Sequence, residues 1–193
     1  MENETKEANL IVAGLKFSGS DIAAACSNEK NTTLAAGLMA FSVLLGTVIA
    51  FIYGNGGSSG VGRMGLEGSA AAIAEFGSLL AGTFLSAFIM VYVIRIFKVT
   101  LTYAEVLRLY GAAIIWTILS VFVGLIITVL SLPEKFAMVG VLFWLAYNFS
   151  LMFGIAGYTK LKLWKAFLAI VITFAVVFVI MIIYGMLMGA MFA

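Results

Sequence analysis

The chain contains no histidine, one cysteine and one proline, and only 10% of its 193 residues are charged. Without histidine it lacks the most frequent general acid and base and the most frequent metal ligand in proteins. A single cysteine cannot form an intramolecular disulfide. We therefore expect neither an enzyme, nor a metal or cofactor site, nor a nucleic-acid partner. For Cys26 we favour a small buried or interfacial residue over an acceptor for palmitate.

Hydrophobic residues, by contrast, make up 64% of the chain, and the mean hydropathy is +1.17. Five apolar runs are each about 20 residues long, enough to cross a hydrocarbon layer about 30 Å thick as helices. They lack the alternation of barrel strands, and lipid leaves no unpaired backbone group, so helices are expected. The sequence predicts an all-α integral membrane protein with a retained N-terminal segment, 1–33, and a membrane domain, 34–193. The predicted spans are 34–53, 70–94, 109–130, 138–157 and 166–189.

The distribution of basic residues predicts how the protein is oriented. Nine of the 11 lysines and arginines fall on one side of the predicted membrane and two on the other. Such an excess is typical of cytoplasmic segments. We therefore expect a cytoplasmic N-terminus and a C-terminus outside. The cytoplasmic set is Lys6, Lys16, Lys30, Arg95, Lys98, Arg108, Lys160, Lys162 and Lys165, and the outer set is Arg63 and Lys135.

Small residues recur at four-residue spacing in the first, second and fifth spans. This spacing stacks them on one face of a helix and lets two backbones approach closely in lipid. We expect these faces to be packing seams, within one bundle in the favoured interpretation and between protomers of a homo-oligomer in the alternative. The predicted seam residues are Ser42, Gly46, Ala50, Ala74, Ser78, Gly82, Ser86, Gly185 and Gly189.

Two polar residues are candidates for an intramembrane site, because polar groups in lipid are costly and often functional. Glu75 is near the outer end of the second span, where headgroup depth is the favoured interpretation. Asn148 is near the middle of the fourth span. We expect it to hydrogen-bond across helices, with a polar pocket as the alternative.

A short charged passage precedes the third apolar run. Thr102 and Glu105 form a T-x-x-E capping box, which predicts that a helix starts at Thr102. Apolar residues then recur at helical spacing, with Glu105 and Arg108 on the polar side. The pattern predicts a short amphipathic helix at the cytoplasmic interface, with its charges facing water. Tyr103 and Tyr110 would anchor it at headgroup depth.

The sequence YAEVLRLYG, from Tyr103 to Gly111, resembles the segment that opens the third span of Yip1-domain proteins. The five spans and the short basic turn at 158–165 also fit that family, and the likeness extends loosely from residue 21 to the C-terminus. The chain departs from the pattern at Ala112, where members often carry an aromatic residue, and at Trp116, where they often carry proline.

The resemblance implies a compact, prokaryotic-type member in a cell membrane, or an ER or Golgi protein if the source is eukaryotic. Eukaryotic members are linked to vesicle trafficking and to prenylated Rab-type GTPases. By the resemblance, the partner motif is Tyr103, Glu105, Arg108, Tyr110 and Gly111. The alternative is that these residues only shape a helix bend and its interface.

Two functions remain in competition. The leading hypothesis is a non-catalytic membrane organiser that binds partner proteins or lipids through its basic cytoplasmic loops. The alternative is a small oligomeric transporter or channel with Asn148 or Glu75 on its path. Few polar residues lie near the middle of the spans, whereas transporter substrate sites usually gather several, which counts against transport. The basic loops could also serve topology alone.

Overall fold

The computed structural model describes residues 9–53, 68–130 and 138–192. Within these ranges the chain forms helices and no β-strand. The second span contains a π-helical turn, Ala81–Leu85, and ends in a 3-10 turn, Ile94–Phe97. The α-helices are α1 (Leu10–Leu15), α2 (Gly19–Ser27), α3 (Asn31–Tyr53), α4 (Gly68–Leu80), α5 (Ser86–Val93), α6 (Tyr103–Ala113), α7 (Ile115–Val129), α8 (Val139–Thr159) and α9 (Leu163–Phe192).

In the described ranges, five segments are long and apolar enough to cross a membrane, which confirms the predicted five-span architecture. The third span combines α6 and α7. Helical hydrogen bonding continues through the junction, because Ile114 N donates to Tyr110 O at 2.8 Å and Ile118 N donates to Ile114 O at 3.0 Å. The five segments are Asn31–Ile49, Phe76–Phe97, Tyr103–Ile127, Val139–Thr159 and Leu163–Ile183.

Two short helices precede the first span and share its core. Asn9 caps α1, since its Oδ1 accepts a hydrogen bond from Ile11 N at 2.9 Å, and Ser18 caps α2 through Asp21 N at 3.3 Å. Leu10 and Ile22 belong to the same buried cluster as the spans. Helices α1 and α2 pack against α6 and α8. Residues 10–27 of the N-terminal segment are therefore part of the helix bundle.

Helix α6 lies at the centre of the bundle. It contacts α1, α2, α3, α5, α7 and α8, and every residue from Val106 to Ile114 is buried. We call the end of the bundle where α6 begins the Arg108 end. The α2–α3, α5–α6 and α8–α9 connections all lie at this end, because each joins segments that begin or finish there. Lys98 and Lys160, with φ values of 61° and 59°, turn the chain out of the second and fourth spans.

The small residues of the first span contact the second span within one chain. Ser42 and Ser78 are buried, and α3 packs along α4. A Cβ atom at Gly46 would lie 2.4 Å from Leu79 Cδ1, so a larger residue here would require the Leu79 side chain to move. At these three positions the seam is intramolecular.

The second span departs from the predicted seam after Ser78. Ser86 is buried, and its hydroxyl donates to Gly82 O at 2.6 Å. Gly82 is exposed, and a Cβ atom there would meet nothing within 4 Å. Within the described part of one chain Gly82 therefore lies outside the seam, because the π-helical turn shifts the face of the helix. A seam between protomers at Gly82 stays a prediction. The surroundings of Ala50, Ala74, Gly185 and Gly189 lie outside what the structure describes.

Candidate functional site

Arg108 is the only arginine or lysine that the described part of the structure buries, with 5% of its surface exposed. Its Nε donates to the carbonyl oxygen of Cys26, and its Nη1 donates to Thr32 Oγ1 at 2.6 Å. The expectation that Arg108 faces water is wrong. The last turn of α2 and the first turn of α3 cover it, and the partial negative charge of a helix C-terminus favours a cation there. Arg108 thus fastens α6 to both helices.

Glu105 forms the predicted capping box, which confirms that α6 begins after Thr102. Thr102 Oγ1 accepts a hydrogen bond from Glu105 N at 3.3 Å, and Glu105 Oε2 accepts one from Thr102 N at 2.7 Å. The second carboxylate oxygen accepts a hydrogen bond from the Tyr158 hydroxyl at 2.7 Å. A residue that caps its own helix therefore also fastens α6 to the end of α8.

The two tyrosines of the motif contact the second span. The hydroxyl of Tyr103 donates to Phe84 O, and that of Tyr110 donates to Ser86 O, each at 3.4 Å. Tyr103 is 38% exposed, whereas Tyr110 is only 3% exposed. Contrary to the expectation, the side chain of Tyr110 therefore faces the inside of the bundle and not the headgroups. Carbonyl groups in and after the π-helical turn offer these hydroxyls acceptors inside the bundle.

Gly111 marks the closest approach between α6 and α3. A Cβ atom at this position would lie 2.4 Å from Ala35 Cβ and 2.7 Å from Ala35 Cα. Contacts that short do not occur, so a side chain here would push the first and third spans apart. Each of the five motif residues thus caps α6 or joins it to a neighbouring helix. The amphipathic pattern suggested a helix at the membrane interface. In the structure α6 lies inside the bundle instead, because α1, α2, α3 and α8 enclose it.

An open pocket of about 440 Å³ lies beside Arg108. It brings together two carboxylates, a guanidinium and two hydroxyl groups. The combination suits recognition of charged or hydrogen-bonding groups. Among the described residues, no three His, Cys, Asp or Glu side chains are grouped to hold a metal ion. The lining residues are Glu29, Thr32, Thr102, Ala104, Glu105 and Arg108.

Cys26 contributes its backbone to this site. Its side chain is completely buried, and burial raises the pKa of the thiol to about 12, against the opposing effect of the Arg108 charge. The thiol is therefore protonated at neutral pH and a poor nucleophile. The carbonyl oxygen, by contrast, accepts the hydrogen bond from Arg108.

Asn148, one of the two intramembrane polar candidates, does not join this site. Asn148 Nδ2 donates to Trp144 O of its own helix at 2.8 Å. The predicted bond across helices is therefore wrong, because the carbonyl one turn earlier is within reach of the amide. The side chain of Glu75 lies outside the described residues.

Sequence reasoning missed three contributors to the site, namely Glu29, Thr32 and Tyr158. Tyr158 is 53 positions from its partner Glu105, and Thr32 is 76 from Arg108, so no local spacing relates them. A local signal did exist for α1 and α2, since Asn9 and Ser18 each precede a short run with apolar residues as helix caps do.

Comparison with known proteins identifies no relative of this chain. No protein family, no curated protein and no solved structure matches it. The resemblance to Yip1-domain proteins therefore stays a prediction that depends on the motif at 103–111, the five-span layout and the basic turn at 158–165.

Proposed function

We propose that this chain is a Yip1-like, non-catalytic membrane protein that binds partner proteins or lipids at the Arg108 end. The observation that supports this most directly is the open pocket beside Arg108. It combines charged groups with a rigid base, because Arg108 and Glu105 are held by hydrogen bonds to α2, α3 and α8. Sites with side chains fixed in this way bind at a lower cost in conformational entropy.

We propose further that the Arg108 end is cytoplasmic. Arg108 is buried and does not act as a loop charge, so eight basic residues remain on this side against two on the other. The excess still favours a cytoplasmic location. The residues of this end that the structure describes as exposed include Lys30, Arg95, Lys98, Lys160 and Lys162.

The charges at this end favour a partner that carries both signs. The exposed lysines would attract an acidic protein surface or an anionic leaflet. The pocket itself contains Glu29 and Glu105, which favour a cationic or hydrogen-donating group of that partner. A role in membrane organisation or trafficking, in a prokaryotic cell membrane or in the ER or Golgi, follows only from the Yip1 resemblance.

A charge reversal at the pocket rim tests this function without disturbing the buried network. Glu29 is exposed, so Glu29→Lys changes the pocket while Arg108 and Glu105 keep their partners. Ser27→Lys adds the same side chain at an exposed position outside the pocket lining and is the matched control. Each tagged protein would be extracted from its native membrane in mild detergent, and its copurifying proteins and lipids identified.

We expect particular partners to be retained by the wild type and by Ser27→Lys and lost from Glu29→Lys. An identical set from all three proteins would contradict the proposal. Substitution of Glu105 and Arg108 themselves is unsuitable for this test, because losing their hydrogen bonds would destabilise the fold itself.

A further inference from the structure

The hydrogen bonds between helices establish which residues of different spans lie at the same depth. Glu105, one turn before Arg108 in α6, accepts a hydrogen bond from Tyr158 in α8, so these two helices are level there. Further into the bundle, Trp116 in the third span is 11 residues beyond Glu105, and Ser150 in α8 is eight residues before Tyr158. At 1.5 Å per residue they lie about 16 Å and about 12 Å below that level.

The same level coincides with one boundary of the hydrocarbon layer. About 20 helical residues cross that layer. Counted back from Val129, the end of α7, 20 residues reach Tyr110, and counted forward from Val139, the start of α8, they reach Tyr158. The third span therefore places Tyr110 at the boundary and Trp116 about 9 Å inside, and α8 places Tyr158 at the boundary and Ser150 about 12 Å inside.

The end of α1 reaches this inner depth. Gly14 O accepts hydrogen bonds from Trp116 Nε1 and from Ser150 Oγ, each at 3.1 Å. Carbonyl groups in the last turn of a helix have no partner within the helix, and lipid supplies none. The two spans thus satisfy a carbonyl that water would otherwise have to satisfy. A Cβ atom at Gly14 would lie 1.9 Å from Ala112 O, so the backbone of α1 rests directly on α6.

The turn after α1 is docked at the same depth. Phe17 has a left-handed backbone, with φ at 53°, which costs a bulky residue about 1 kcal/mol. Its ring stacks on Trp116 with centroids 4.9 Å apart and planes 12° apart. Stacking of this kind offsets the cost of the turn.

The outward faces of α1 and α2 differ in chemistry. Helix α1 has the sequence LIVAGL and exposes Val12 and Leu15, at 46% and 39%. Helix α2 exposes Ser20, Ala24 and Ser27, two of which are polar. An apolar face suits acyl chains, and a polar face suits the headgroup region.

Lys16 follows α1 and pairs with the first turn of α2. Its Nζ lies 3.4 Å from Asp21 Oδ2, and both side chains remain exposed. A lysine beside buried apolar surface commonly extends its ammonium group towards water, and Asp21 on the polar helix receives it. The charged pair is thus directed towards α2 and away from the face of Val12 and Leu15.

We propose that α1 and the following turn form a re-entrant element embedded in one leaflet of the bilayer, with α2 at the boundary of that leaflet. Its partner is lipid, with acyl chains contacting Val12 and Leu15 and headgroups contacting Lys16 and the polar face of α2. The inference depends on the five spans and is independent of ligand binding in the pocket.

Spin labels on single cysteines test the depth directly. In a Cys26→Ala background, which removes the only native thiol, the probes are Leu15→Cys, Ser27→Cys and Val171→Cys. Val171 is exposed on α9, eight residues from its start at Leu163, and so marks about 12 Å of depth in a span. Collision rates with oxygen and with a water-soluble nickel chelate would be measured in liposomes.

We expect the Leu15 label to collide with oxygen as the Val171 label does and to be protected from nickel, while the Ser27 label is accessible to nickel. Nickel accessibility at Leu15 closer to that of Ser27 than to that of Val171 would overturn the inference. Val12→Cys, on the same face of α1, replaces Leu15→Cys if that variant does not fold.

Discussion

The third and fifth spans are both long and apolar, yet they occupy opposite positions in the bundle. In the third span every residue from Val106 to Ile114 is buried. The fifth span packs against α5, α8 and the π-helical turn and exposes a row of large side chains along its length. These include Phe167, Val171, Phe174, Phe178 and Val179. Apolar character alone therefore does not tell a central membrane helix from a peripheral one.

The difference between the two spans arises from their polar side chains. Glu105 and Arg108 bind three other helices, α2, α3 and α8, through hydrogen bonds. In the described part of the fifth span, the hydroxyl of Thr173 donates a hydrogen bond to the sulfur of Met90 at 3.6 Å. In lipid the hydrophobic effect does not draw helices together. Hydrogen bonds between helices and close packing therefore determine which helix lies at the centre of the bundle.

Removal of Arg108 should produce the largest effect. Arg108→Met leaves the carbonyl of Cys26 and the hydroxyl of Thr32 without a donor, which we expect to cost about 3 kcal/mol of unfolding free energy. Arg95→Met, at an exposed arginine, should change it by less than about 0.5 kcal/mol. Equilibrium unfolding of both variants in mixed micelles measures the difference. Equal unfolding free energies for the two variants would show that Arg108 does not stabilise the packing of α6 in the bundle.

The second largest difference between the third and fifth spans is expected when a large apolar side chain of each is truncated. Leu109 is 1% exposed, and Leu109→Ala should cost about 2 kcal/mol, at the low end for core truncations because lipid solvates the unfolded helix. Phe178 is 67% exposed, and Phe178→Ala should have little effect. The same unfolding assay applies, and a larger loss at Phe178 would contradict the peripheral position of α9.

The bond between α6 and α8 should contribute less. Tyr158→Phe removes the hydrogen bond to Glu105 but keeps the ring, at an expected cost of about 1 kcal/mol. Tyr92→Phe is the control, since Tyr92 is exposed and keeps its ring beside Arg95. Equal unfolding free energies for the two phenylalanine variants would contradict a stabilising hydrogen bond between Tyr158 and Glu105.

The smallest effect is expected at Asn148. Because its amide bonds to its own helix, Asn148→Leu should change the unfolding free energy by less than about 0.5 kcal/mol. Flux of ions and small solutes in reconstituted vesicles should be the same for both proteins. A flux present in the wild type and absent in the variant would revive the transport alternative.

Local features were predictable where their cause was local. The five apolar runs predicted five spans, and the T-x-x-E box predicted the start of α6, because helix length and capping depend on neighbouring residues. The burial of Arg108 and Tyr110 could not be predicted from the period of their helix, which marks a polar face without indicating what covers it. Arg108 is buried against Cys26 and Thr32, and Tyr110 is buried against the second span.

By itself the sequence determined that this protein is a five-helix membrane protein, because hydrocarbon thickness and backbone hydrogen bonding leave apolar runs of this length no other structure. Only the tertiary structure decided which helix is central and where the N-terminal residues lie. Those outcomes depend on contacts between residues far apart in the chain, such as Gly14 with Trp116 and Ser150. Such contacts form because lipid offers polar groups no other partner.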